Sequence, residues 1–68
     1  MDYSKLKGRI VEKYGSVTKF AVAMSMSDAT MSQRLNGTSP WKAPEMKRAA
    51  ELLDINRREI VIYFLPES

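Results

Sequence analysis

The sequence predicts an all-α domain of five helices built on a single core. Three observations carry this. Apolar residues recur at i, i+3, i+4 and i+7 along most of the chain. The periodic segments are bracketed by helix-capping residues and by glycine stops. The 68 residues suffice for one domain, so residues 1–68 are taken as one unit.

The first helix is expected over residues 3–14. Leu6, Ile10 and Tyr14 recur at four-residue steps, with Tyr3 and Val11 alongside. Asp2 or Ser4 can cap its start and Gly15 suits its end. The interior Gly8 costs about 1 kcal/mol relative to alanine and suggests close approach of another helix. The second helix covers 17–24, with Ser16 as N-cap and Val17, Phe20, Ala21 and Met24 on one face. The third covers 28–36. Ser27 caps it, Asp28 sits where the helix dipole favours an acid, and Met31 and Leu35 form a narrow apolar stripe before the Asn36-Gly37 stop.

The fourth helix covers 43–53. Pro44 suits its first turn, and Met46, Ala49, Ala50 and Leu53 face the core. The last piece, 56–65, reads two ways. Asn56 followed by Glu59 resembles a capping box, whereas Ile60-Val61-Ile62-Tyr63-Phe64 is β-branched and aromatic and favours a strand. The expectation is a short helix of one or two turns with an extended tail, ended by Pro66.

Composition removes several function classes. With neither cysteine nor histidine, disulfides and Cys/His zinc sites are excluded. No Gly-rich phosphate loop and no general base stand beside Glu51 and Asp54, so no enzyme activity, metal or cofactor is expected. The longest apolar run, residues 60–65, is far short of the roughly 20 residues of a membrane span. A cytoplasmic location in a bacterial host, at the nucleoid, is expected, without membrane contact. The net charge of +3 lies wholly in residues 1–37, which hold six Lys/Arg against three acids. Such asymmetry favours an anionic partner.

The stretch FAVAMSMSDATMSQRLNG, residues 20–37, gives that partner a candidate site. Two short helices joined by Ser25-Met26-Ser27 form a helix-turn-helix. With Met31 and Leu35 inward, Asp28, Ala29, Ser32, Gln33 and Asn36 share the outer face. Short polar side chains of this kind let a helix approach base edges in the major groove. A solvated helix face would more often carry Lys and Glu pairs; this one holds one acid and no base.

These residues resemble a known family. Phe20-Ala21, Ser25, Met31, Leu35 and Asn36-Gly37 are similar to the helix-turn-helix of the phage Cro and repressor class. Leu6 to Gly15, Trp41, Glu45, Leu52-Leu53-Asp54-Ile55, Glu59-Ile60 and Tyr63-Phe64 extend the likeness to small Cro-like proteins of phages and prophages of Gram-positive bacteria. The resemblance implies a lambda-repressor-like five-helix domain and a sequence-specific transcriptional repressor of double-stranded operator DNA. By position, Asp28, Ala29, Ser32 and Gln33 would read bases, Gln33 pairing with adenine and Ala29 meeting a thymine methyl. Val17, Thr18, Lys19, Ser27, Thr30, Arg34, Asn36 and Lys42 would hold the DNA backbone. Two residues depart from the pattern. Ser25 stands where the turn normally has glycine, at a cost of about 1 kcal/mol if φ is positive. Asp28 either accepts from cytosine or only caps its helix.

Two half-sites require two copies, so a weak homodimer, or one formed on DNA, is expected through Ile62, Tyr63, Phe64 and Leu65. The alternative function is an antirepressor that reuses the same fold to bind a larger phage repressor protein. Met24, Met31 and Met46 read as core, Trp41 as a lid on it, and the Lys5, Arg9, Lys13 stripe as solvated.

Overall fold

The computed structural model describes residues 3–64 and consists of five helices, α1 (Ser4–Tyr14), α2 (Val17–Ala23), α3 (Asp28–Leu35), α4 (Ala43–Leu52) and α5 (Arg57–Phe64). No strand occurs among the described residues. α1 packs on α2 and α5, α2 packs on α3, and α4 packs on α5. Leu6, Ile10, Phe20, Met31, Leu53 and Phe64 form the fully buried centre, the first five at positions chosen by the 3.6-residue period. The Tyr14 ring meets Phe20 edge-on at 5.2 Å. Trp41 is buried and meets Phe64 in the same way at 5.0 Å, so it is the expected lid.

Caps settle most of the boundaries. Ser16 Oγ accepts from the Lys19 N–H at 3.2 Å, and Ser27 Oγ from the Thr30 N–H at 3.1 Å. Gly15 closes α1 with φ 86°, and Gly37 follows α3 with φ 77°. The start of α1 differs from expectation: the N-cap position is Tyr3, whose side chain makes no cap bond. Gly8 also differs. It is exposed, and a Cβ there would meet nothing within 4 Å, so no helix approaches it.

The ambiguous 60–64 segment is helical. Asn56 Oδ1 accepts from the Glu59 N–H at 3.1 Å, as the capping reading requires. A strand would need a neighbour to pair its backbone groups, and the described residues offer none. The helix satisfies these groups internally and brings Ile60 and Phe64 one turn apart against the core. This corrects one expected interface residue. Phe64 is 1% exposed and belongs to the core. Ile62 is exposed and Tyr63 half-buried, while Leu65 and the expected extended tail lie outside the described residues.

The basic stripe of α1 is not simply solvated. Arg9 Nε donates to the Leu53 carbonyl at 2.9 Å, and Lys13 Nζ pairs with Asp54 Oδ2 at 2.7 Å. Tyr14 Oη donates to the Leu52 carbonyl at 3.5 Å. The last turn of α4 has no base of its own, so α1 supplies the donors and the positive charge that its carbonyls need. Lys13 holds the Asp54 carboxyl below its usual range through their hydrogen bond and charge. Lys5 Nζ lies 5.5 Å from the Tyr63 ring centroid.

Ser25 adopts φ 58°, the left-handed region that glycine tolerates best. Ser25→Gly is expected to stabilise the fold by about 1 kcal/mol. A rise in the urea midpoint at unchanged slope checks this; a fall would show that the serine side chain supports the turn.

Candidate functional site

The α2–α3 pair consists of two short helices joined by a turn over residues 24–27. Its turn closes through the Ser25 N–H to the Val22 carbonyl at 3.0 Å and the Met26 N–H to the Ala21 carbonyl at 2.9 Å. Phe20, Ala21, Met24, Met31 and Leu35 are buried beneath it, which fixes the relative orientation of the two helices. Asp28, Ala29, Ser32, Gln33 and Asn36 are all exposed. The structure therefore brings the four expected base-reading residues onto one solvent face.

The residues expected to hold the DNA backbone divide. Thr18, Lys19, Ser27, Asn36 and Lys42 are exposed. Val17 is half-buried against the core. Ser27 and Thr30 share a hydroxyl–hydroxyl bond of 2.9 Å besides the cap, so both side chains are engaged at the start of α3. The Lys42 N–H donates to Glu45 Oε1 at 2.9 Å.

Arg34 is the correction. It lies three residues after the buried Met31 and so projects from the inner side of α3. It is 8% exposed. Its Nε and Nη2 donate to the two Glu45 carboxylate oxygens at 2.9 and 3.1 Å, a bidentate pair joining α3 to the first turn of α4. These bonds hold the Glu45 carboxyl below its usual range and raise Arg34 above its own. Arg34 thus cannot reach a phosphate without breaking the α3–α4 clasp.

The consequence is electrostatic. α3 contains one acid and one base, and the base is turned inward and neutralised. The outer face keeps Asp28 as its sole charged residue. The other cations expected at the DNA backbone lie on other elements, Lys19 on α2 and Lys42 before α4. Arg48 is spent on the C-terminal end of α2, where Nη2 donates to the Ala23 carbonyl at 3.3 Å. The face suits hydrogen bonding more than attraction to a polyanion.

Residues 1–67 match the family described as "Protein of unknown function (DUF739)". The chain belongs to this family. It is also similar to a solved structure, the solution structure of the modulator of repression (MOR) of the temperate bacteriophage TP901-1 from Lactococcus lactis. The two share 43% sequence identity over 93% of this chain and 85% of that chain, with a TM-score of 0.83. No curated protein matches the chain. The DUF739 chain thus has the five-helix all-α fold of a phage regulatory protein. Among its described residues no helix is long and apolar enough to cross a membrane, and no group of three or more acidic residues could hold a metal ion.

Sequence reasoning missed the Arg34–Glu45 clasp. The signal was present, because Arg34 follows Met31 by three positions and Glu45 stands at the third position of α4. Carrying Arg34 across by position as a contact to the DNA backbone concealed it.

Proposed function

We propose that this chain is a protein-binding modulator of repression, which acts by binding a phage repressor. The observation that carries the reading is the likeness to a phage modulator of repression at 43% identity over 93% of the chain. Physical chemistry points the same way. Nonspecific DNA affinity scales with the number of phosphates neutralised by Lys and Arg, and the base on α3 is occupied by Glu45. A protein partner places no such demand on cations.

A second reading, direct repression as a Cro-type operator-binding protein, has one specific observation in its favour: the capped α2–α3 unit with Ala29, Ser32 and Gln33 exposed together. A weak homodimer, or one formed on DNA, belongs to that reading, with Ile62 and Tyr63 as its described candidates.

Calorimetric titration with the repressor of the same phage and with duplex DNA from its control region separates the two. The proposal expects saturable binding to the repressor and no steeply salt-dependent binding to DNA. Tight operator binding that falls as salt rises and drops by about 1–3 kcal/mol in Gln33→Ala, without repressor binding, would replace it by the second reading.

A further inference from the structure

Away from the helix-turn-helix, α4 and α5 enclose a groove of about 530 Å³. Met46, Ala50, Ile55 and Ile60 give it an apolar lining, and Lys47, Glu51 and Arg57 contribute charged groups. Val61, half exposed, lies one turn from Arg57 on α5. Neither Lys47 nor Arg57 makes an ion pair among the described residues. Their charges are uncommitted, in contrast to Arg9, Lys13 and Arg34.

We propose that this groove is where the chain takes hold of its protein partner, by receiving an amphipathic helix with an acidic flank. The proposal rests on the repressor-binding reading and assigns it a surface. The occupant follows from shape and charge. A concave apolar channel of this kind accepts a helix that presents side chains at i, i+3 or i+4, and i+7. Lys47 from α4 and Arg57 from α5 favour carboxylates beside that apolar ridge. Glu51 asks for a neutral or basic residue at its own position.

A second copy of this chain fits poorly. A two-fold contact centred on the groove would set groove against groove, leaving an unfilled space and bringing the same cations together. A head-to-tail contact would need an exposed apolar ridge elsewhere. Among the described residues, the exposed large apolar ones are Val11 on α1, Val22 on α2, and Val61 and Ile62 on α5. The first two stand alone on their helices and the last two are on the groove's own helix. The occupant is therefore a different protein. The α3 face, mainly polar, stays outside this contact.

The test uses the isotope-labelled full chain and the purified repressor of the same phage. Amide shifts are expected at Met46, Lys47, Glu51, Arg57, Ile60 and Val61. The double variant Lys47→Glu/Arg57→Glu alters two exposed side chains, so it should keep the helical spectrum and thermal midpoint. It is expected to bind the repressor about tenfold more weakly or worse. Undiminished binding by the folded double variant, with shifts confined to residues 27–33, overturns the groove while leaving repressor binding intact. Groove shifts that appear on concentrating the chain alone overturn it in favour of a second copy. Failure of the unaltered chain to bind the repressor at all removes both this inference and the reading beneath it.

Discussion

Replacing Phe64 by alanine is expected to destabilise the fold by about 3–5 kcal/mol, the largest effect of any single apolar truncation in α5. The ring is 1% exposed and meets the indole of Trp41 at 5.0 Å. Its backbone is held too: Tyr3 Oη donates to the Phe64 carbonyl at 3.4 Å, joining the two ends of the described chain. Truncation would open a cavity between these groups, and the short α5 could not close it without leaving Ile60. A domain of this size has a total stability of only about 3–10 kcal/mol, so the variant should be largely unfolded at modest urea concentrations. Ile62→Ala, at a site 47% exposed, should change stability by less than about 1 kcal/mol. Urea unfolding followed by circular dichroism compares the two. Equal, small losses would mean that Phe64 is not a core residue and would restore it to the interface expected from sequence.

That reversal shows where sequence reasoning worked and where it stopped. The elements were legible because local forces set them. Periodicity found the buried faces of the first four helices, and Ser16, Ser27 and Asn56 cap the three helices expected to use them. The strained turn was legible as well: Ser25 in a glycine position does take positive φ. The exposed face of α3 followed directly from placing Met31 and Leu35 inward.

Pairings between distant helices were not legible, because periodicity states which side is buried and not what lies opposite. Arg9 and Lys13 looked solvated until α4 ended beside them. Asp54, with φ 55°, lies in the turn after α4 and pairs with Lys13, a partner that spacing alone does not indicate. Phe64 was assigned to an interface on the argument that so small a core could not hide the whole apolar run. Trp41 and Tyr3 make room for it, while Val61 and Ile62 carry the exposed share. The α4–α5 groove escaped notice for the same reason, since it exists only where two helices diverge.

The second large effect is expected at Glu45. Its carboxylate accepts two bonds from Arg34 and one from the Lys42 N–H. Glu45→Ala removes all three and leaves the Arg34 side chain, 10% exposed, without its counter-charge. Losing one partner of a mostly buried pair is far costlier than never having the pair, and Tm should fall on the order of 10 °C. The double variant Arg34→Met/Glu45→Leu replaces both charges with apolar groups of similar reach, and should recover much of that loss. The pH dependence has a defined sign. The Glu45 pKa is lowered in the folded state from an ordinary value of 4.5, chiefly by the hydrogen bonds from Arg34. Its stabilising contribution is thus complete above that ordinary value and is lost as the pH falls below it, through the lowered folded value. Asp54, lowered from 3.8 by Lys13, adds to the same acid-side slope. Thermal unfolding between pH 7 and pH 2 should show a shallower acid limb for Glu45→Gln than for the unaltered chain. An identical limb would place the acid sensitivity elsewhere. If Glu45→Ala also retained the original Tm, Arg34 would be free to leave α4 and reach a phosphate, and the principal electrostatic argument against operator binding would fall with it.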